Sequence, residues 1–331
     1  MAKELLRMEG ITKIYGNGFM ANKDISFSVN AGEIHALIGE NGAGKTTLMK
    51  ILFGLENCQE GKIFIRGEEC HIANPLDAIA KGVGMVHQHF MLVPNLTVAE
   101  NIVLGIEPGH GQIFDRKQAI QMTKEVSEKY QLAVDPNALV RDLSVGLKQK
   151  VELLKALIRG VEVLILDEPT AVLTPQETRD LFRQLKILRE HDYGIIFISH
   201  KLEEIMELCD SATVLRHGRV SGTIARADMD EVKLSKLIVG RDVVSEVERN
   251  EADCGETVLK VRNLSYVDDV GKCLVKDVSF GIRAGEIVGI AGVEGNGQTE
   301  LSEMITGLLP IAEGEVEING STTKGLNIRK I

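Results

Sequence analysis

No stretch of this chain is apolar for long enough to cross a bilayer. The longest apolar runs, such as Val163 to Leu166 and Ile195 to Ile198, fall far short of the roughly 20 residues a spanning helix needs. Positive charge is also scarce. There are 38 Lys and Arg against 48 Asp and Glu, a net charge of −10, which argues against a general nucleic-acid sheath. There is no long basic arm and no coiled-coil insert. The five cysteines (Cys58, Cys70, Cys209, Cys254, Cys273) form no CxxC pair and no metal spacing, so they read as free thiols of a reducing cytoplasm. The opening residues, Met1 to Gly10, hold no long apolar core, and no signal peptide is expected. Any membrane role is expected to come through a partner.

What the chain does have is one phosphate-binding turn written twice. The first copy is Gly39-Glu40-Asn41-Gly42-Ala43-Gly44-Lys45-Thr46. The second, about 250 residues later, is Gly292-Val293-Glu294-Gly295-Asn296-Gly297-Gln298-Thr299. The repeat runs without a gap from Lys23-Asp24 to Gly67, matched by Lys276-Asp277 to Gly320, and includes Ala31-Gly32-Glu33-Ile34 against Ala284-Gly285-Glu286-Ile287. Only the first copy keeps its lysine. We expect one module over 1–241, a charged solvated linker over 242–256, and the opening of a second, altered module over 257–331. The chain is therefore expected to be a piece of a longer tandem protein, rather than a single module with a short tail.

Within the first module, strand-like runs fill 1–35. Ile34 to Ile38 is an apolar strand leading into the turn, and a helix follows from about Gly44 to Gly54. That order is strand, phosphate loop, helix. Residues 90–160 read mostly helical, with Ala119, Thr123, Val126 and Tyr130 on one face and Leu147, Val151, Leu154 and Ile158 on another. Val163–Leu166 and Ile195–Ile198 are continuous apolar runs, as strands buried on both faces should be. Thr174-Pro175-Gln176-Glu177 carries a cap, a proline at the first helical position and a glutamate three residues on. Strands alternating with helices imply an α/β fold with a mainly parallel sheet covered on both sides.

Gly39–Thr46 fits G-x-x-x-x-G-K-[ST]. The glycines let backbone N–H groups surround the α and β phosphates, Lys45 reaches the β and γ phosphates, and the Thr46 hydroxyl suits Mg²⁺. The helix that follows aims its N-terminus at the same anion. Asp167 and Glu168 directly follow a buried strand, where ligands bind in such sheets. Asp167 suits Mg²⁺ and Glu168 suits the attacking water. His200 ends the next strand and can reach the γ phosphate. Gln88, after another short apolar run, can touch Mg²⁺ or that water. His35 lies inside a strand and is given no role, and His87 with His89 has no third ligand. Ser144 is a natural helix cap, and its helix N-terminus is also an anion site whose phosphate the spacing alone does not identify.

Together and in this order, these residues resemble the ATP-binding subunits of ABC transporters. Gly39–Thr46 resembles Walker A, Gln88 the Q-loop, Leu143–Gln149 the signature, Val163–Glu168 Walker B with its catalytic glutamate, and His200 the switch histidine. Tyr15 is placed like the aromatic residue that stacks on adenine. The resemblance implies a P-loop NTPase with a RecA-like parallel-sheet core, an antiparallel β subdomain and a helical subdomain over about 90–160, plus a partial second copy. It implies ATP bound by Tyr15, Gly39, Asn41, Gly42, Ala43, Gly44, Lys45, Thr46 and Thr47. Magnesium would lie on Thr46, Gln88 and Asp167, and catalysis would fall to Glu168, His200, Gln88 and Lys45. Ser144, Val145, Gly146 and Gln149 would serve an ATP held by the facing module. Gly292, Gly295, Gly297, Gln298 and Thr299 would form a degenerate loop.

The resemblance also implies partners: two transmembrane permease subunits and a solute-binding lipoprotein, with no nucleic acid. Modules pair head to tail at the cytoplasmic face of the membrane. Glu168-Pro169-Thr170-Ala171-Val172-Leu173-Thr174-Pro175 and Ile238-Val239-Gly240-Arg241 look like the sugar and nucleoside importers. Gly84 to Leu92 favours the nucleoside branch over a monosaccharide one. A soluble, non-transport ABC ATPase is the alternative of another class. Three departures stand out: Val145 and Leu147 in the signature, Thr174 where an aspartate is usual, and Gln298 in place of lysine. In a closed tandem the altered signature would face the altered loop, giving one hydrolytic and one degenerate site.

Overall fold

The computed structural model describes residues 3–110, 113–240, 254–268, 271–292, 295–311, 313–326, 328, 329 and 331. The chain divides into two compact units, Met1–Val244 and Ser245–Ile331. Most of the linker expected at 242–256, together with Arg241, Val293, Glu294 and Lys330, lies outside the described residues.

In the first unit β1 (Glu4–Ile14) and β2 (Met20–Asn30) pair antiparallel. β3 (Ile34–Ile38), the glycine turn and α1 (Lys45–Leu52) follow. β4 (Glu60–Ile65) and β5 (Glu68–Cys70) extend the hairpin into an antiparallel sheet of order β2-β1-β4-β5. After α2 (Pro75–Ala80) and β6 (Val83–Val86) come α3 (Val98–Val103), a ribbon of β7 (Gly109–His110) and β8 (Ile113–Phe114), α4 (Arg116–Lys129) and α5 (Val145–Leu157). β9 (Val163–Asp167), α6 (Pro175–Glu190), β10 (Gly194–Ile198), α7 (Leu202–Leu208), β11 (Ser211–Arg216), β12 (Arg219–Ala225) and α8 (Glu231–Val239) complete it. The ribbon departs from the helical reading of 90–160. Ile113 and Phe114 are both exposed there, so no inward-facing alternation marks it in the sequence.

The main sheet has the order β12-β11-β3-β10-β9-β6. Every neighbouring pair is parallel except β11–β12. Its continuous apolar runs follow from burial on both faces. Leu164, Leu166, Ile195 and Phe197 pack on the side of α5 and α6. Val163, Ile165, Ile196 and Ile198 pack with Leu48, Met49 and the antiparallel sheet. The start of α6 is as its sequence foretells. Thr174 Oγ1 accepts from the Glu177 N–H at 3.3 Å, Glu177 Oε2 accepts from the Thr174 N–H at 3.0 Å, and Pro175 opens the helix.

The second unit holds β13 (Thr257–Val267), β14 (Cys273–Arg283), α9 (Gln298–Ile305), β15 (Glu313–Ile318) and β16 (Ser321–Thr322), with sheet order β14-β13-β15-β16. This repeats β2-β1-β4-β5 strand for strand. The likeness fails at residues 287–291, which match β3 yet form no strand. Ile34 is fully buried, whereas its counterpart Ile287 is 99% exposed. β3 is hydrogen-bonded to β10 and β11, and among the described residues the second unit has no parallel strand to offer. Backbone groups without a ladder remain with water, so the same local pattern yields a strand in one copy and open chain in the other.

Candidate functional site

β3, β6, β9 and β10 run parallel, so their carboxyl ends share one edge of the sheet, where ligands lie in such folds. Gly39–Thr46 follows β3, Gln88 follows β6, Asp167 ends β9 with Glu168 next, and His200 follows β10. The topology thus gathers residues that lie as far apart in the sequence as Gly39 and His200.

The glycine turn is shaped for close approach. Gly44, the residue before α1, has φ 102°. A Cβ there would sit 2.4 Å from both the Ala21 carbonyl oxygen and Asn22 Nδ2, so only glycine fits. Among the described residues no side chain caps α1, which leaves its first-turn N–H groups open to an anion. The Lys45 side chain folds back over the turn. Its Nζ donates to the carbonyls of Gly39 at 2.7 Å and Glu40 at 3.1 Å. Burial lowers the Lys45 pKa, opposed by the charges of Glu168 and Asp167. Asn41, Gly42 and Thr46 are exposed, while Ala43 is buried in the core below. Thr47 Oγ1 lies 3.3 Å from the Tyr15 hydroxyl. The Tyr15 ring stacks 6.5 Å from Phe19, with Lys13 Nζ 5.1 Å from its centre.

Opposite the turn stand the two acids. Burial, then the neighbouring charge of Glu168, raises the Asp167 pKa against the pull of Lys45 and Lys50. Glu168 has φ 47°, and its N–H donates to the Ile198 carbonyl at 3.0 Å. That ties the left-handed residue to the end of β10. Its carboxylate is bracketed. Gln88 Nε2 donates to Oε2 at 3.3 Å, and His200 Nδ1 lies 3.4 Å from Oε1. The structure therefore brings Lys45, Asp167, Glu168, Gln88 and His200 together, with Tyr15 and Thr47 at one side. Thr46, Asp167 and the Gln88 amide offer hard oxygen donors, the kind magnesium takes. A cation there would offset the burial and the Glu168 charge that together raise the Asp167 pKa.

Ser144, Val145, Gly146 and Gln149 sit elsewhere, on the first turns of α5. Ser144 Oγ accepts from the Leu147 N–H at 3.3 Å, and the Gly146 N–H donates to Glu177 Oε1 of α6 at 3.0 Å. Gln149 is buried, and its Nε2 has no partner among the described residues. Ser144, Gly146, Leu147 and Gln149 line a cavity of about 160 Å³ with Glu177 and Gln184.

Two features escape motif reading. The first is Asn22, fully buried on β2, whose Nδ2 donates to the Gly44 carbonyl at 3.1 Å. Its counterpart in the repeat is Val275, which lies against Gly297. Laying the two copies side by side shows an amide in one and an apolar group in the other at the same loop. The second is the anchoring of Met91 by Glu152 and Lys155 and of Val93 by Asn101. His35 is structural: Nε2 meets Thr213 Oγ1 at 2.8 Å and Nδ1 meets Glu33 Oε1 at 3.0 Å.

In the second unit Gly297, with φ 91°, precedes α9, and Gly295 has φ 87°. A Cβ on Gly292 would meet Gln298 Nε2 at 2.1 Å, so the glutamine folds over its turn much as Lys45 does. Thr299 follows on α9.

The ABC transporter family model matches residues 22–171 and 275–331. The chain is 45% identical to the nucleoside import ATP-binding protein NupA of Lactococcus lactis subsp. cremoris, over 100% of this chain and 65% of that one. It is 47% identical to the guanosine import ATP-binding protein NupO of Bacillus subtilis, over 99% and 64%. It is 45% identical to the glucose import ATP-binding protein TsgD13 of Haloferax volcanii, over 95% and 62%. The chain thus spans less than two thirds of these relatives. The ADP conformation of MJ1267, an ATP-binding cassette of an ABC transporter, superposes with a TM-score of 0.64 at 24% identity, covering 72% of this chain and 99% of that one.

Proposed function

The chain belongs to the ABC transporter family, and on that premise we propose that it is the ATP-binding part of an importer, driving uptake of a nucleoside through partner permeases. The observation that carries the ATPase reading is the bracketing of Glu168 by Gln88 and His200, opposite Lys45. ATP lies in the Gly39–Thr46 turn. The α1 N–H groups and Lys45 take its phosphates, and Lys45 exchanges its two carbonyl partners for phosphate oxygens. Tyr15 stacks on the adenine. Glu168 orients the attacking water and accepts its proton. Gln88 fixes the carboxylate, and His200, 60% exposed at its side chain, turns to the γ phosphate. Magnesium held by Thr46, Asp167 and Gln88 would neutralise phosphate charge as the γ group leaves.

Two modules close head to tail in this reading, and Ser144 and Gly146 meet the ATP of the facing module. With Gln298 in place of lysine, the second loop is the degenerate site in this reading and the Gly39–Thr46 turn the hydrolytic one. Losing a cation over the β and γ phosphates weakens transition-state stabilisation. Module boundaries near 241 and 257 fit this plan. The pairing with two permeases and a binding lipoprotein places the protein at the cytoplasmic face. Among the described residues no helix is long and apolar enough to cross a membrane.

The solute is tested by thermal stabilisation of the binding lipoprotein of the same system. Guanosine or adenosine is expected to raise its melting temperature where ribose and glucose do not. The 45% identity to a glucose importer subunit favours a monosaccharide as the second reading, and stabilisation by sugars alone would establish it instead.

A further inference from the structure

The loop that carries Gln88 is held by its backbone from within the helical part of the first unit. Glu152 Oε1 accepts from the Met91 N–H at 2.6 Å, and Lys155 Nζ donates to the Met91 carbonyl at 2.8 Å. Both lie on α5, three residues apart, so they face the same way. Two residues on, Asn101 of α3 repeats the pattern. Its Oδ1 accepts from the Val93 N–H at 2.7 Å and its Nδ2 donates to the Val93 carbonyl at 3.0 Å. With both backbones taken from inside, the Met91 and Val93 side chains are turned outward, 59% and 40% exposed.

These contacts are costly ones to build. Glu152 is 5% exposed. Burial pushes its carboxyl pKa up, against Lys155, the Met91 N–H and Arg159. Burial pushes Lys155 down, against Glu152. A charge withdrawn from water destabilises unless its hydrogen bonds are met. An apolar pair would have served plain packing at less cost. What Glu152 and Lys155 add is a fixed position for the backbone of one residue, Met91, three residues past Gln88.

We infer that Glu152 and Lys155 are positioning residues for hydrolysis. By gripping Met91 they hold Gln88 against Glu168 and join that loop to α5, the helix whose first turn carries Ser144 and Gly146. A displacement at the exposed Met91–Val93 face then reaches both ends together. The kinetic part rests on the ATPase reading, and the grip itself does not.

The test uses the whole chain with Glu152→Ala, Glu152→Gln and Lys155→Met. Glutamine keeps an acceptor for the Met91 N–H, and alanine does not. By hydrogen exchange, the Met91 amide is expected to open about tenfold faster in Glu152→Ala and to stay protected in Glu152→Gln, the scale of one charge-assisted bond. Turnover at saturating ATP should fall about tenfold in Glu152→Ala and Lys155→Met, with ATP affinity within about twofold and most turnover recovered in Glu152→Gln. Unchanged Met91 exchange in Glu152→Ala, or unchanged turnover, overturns the inference. An equal loss of ATP affinity and turnover also overturns it, since that marks a general structural role. Should Glu152→Ala fail to fold, Lys155→Met decides through turnover and affinity. An unaltered chain that neither binds nor cleaves ATP would sink the ATPase reading, while the exchange result would still decide the grip.

Discussion

The Gln88 side-chain amide donates to Glu168 Oε2 at 3.3 Å, across 80 residues of sequence. The contact exists because β6 and β9 are parallel neighbours with Val86 opposite Leu166, so each residue leaves the sheet at the same level. With His200 Nδ1 3.4 Å from Oε1, it orients a carboxylate that is still 22% exposed at its side chain.

Replacing that carboxylate alone separates binding from chemistry. Glu168→Gln keeps the side chain's size and loses its proton acceptor. Turnover is expected to fall about 100-fold or more, the worth of a general base, with ATP affinity within about twofold. Steady-state hydrolysis and a nucleotide titration on the same preparation check this. Equal turnover in the two proteins would remove Glu168 from the chemistry.

Asn22 offers a test of how the loop is held. Asn22→Val copies the residue at the matching place in the second unit. Two effects oppose in stability: the bond to the Gly44 carbonyl is lost, but Asn22 Oδ1, buried without a partner among the described residues, is removed as well, each worth about 1 kcal/mol. The melting temperature is therefore expected to move by only about 2 °C. ATP affinity should drop about fivefold to tenfold as the turn loosens, a shift of about 1 kcal/mol. Unchanged affinity in the folded variant would show that the amide does not shape the loop.

Glu33 sets an acid limit on stability. Burial alone would raise its pKa, but hydrogen bonds from His35, Ser211 and the Asn30 N–H outweigh it and hold the carboxyl at about 2, against an ordinary 4.5. The folded state therefore keeps the charge longer than the unfolded chain. The stabilisation is complete above pH 4.5 and is lost as the pH falls through 2. Glu33→Gln is expected to be less stable than the parent at pH 7, by up to about 3 kcal/mol. The gap should close near pH 2. Melting curves across that range give the answer, and a gap that stays constant with pH would locate the effect in packing rather than charge.

Much of the site was legible where chemistry is written in consecutive residues. Gly39–Thr46, the acids after the apolar run at 163–166, and the Thr174–Glu177 cap all form as their local patterns direct. What stayed hidden depends on distant neighbours. Glu152 and Lys155 look like ordinary charges on an amphipathic helix, and their partner is more than 60 residues away. Asn22 gains its role only because β2 passes beneath Gly44. Residues 287–291 carry the apolar pattern of β3 without its flanking strands, so the pattern alone overstates the second copy. In each case the sequence states what a segment prefers, and the tertiary neighbours decide what it does.

In the proposed function the first unit grips magnesium-bound ATP through Lys45 and the turn before α1. Equilibrium binding of Mg-ATP to the chain and to Lys45→Ala measures it directly. Saturable binding is expected in the parent chain, with an affinity lower by about 100-fold in the variant, the cost of a lost charge-assisted contact to phosphate. Equal affinity for both proteins, or no binding by either, would contradict it.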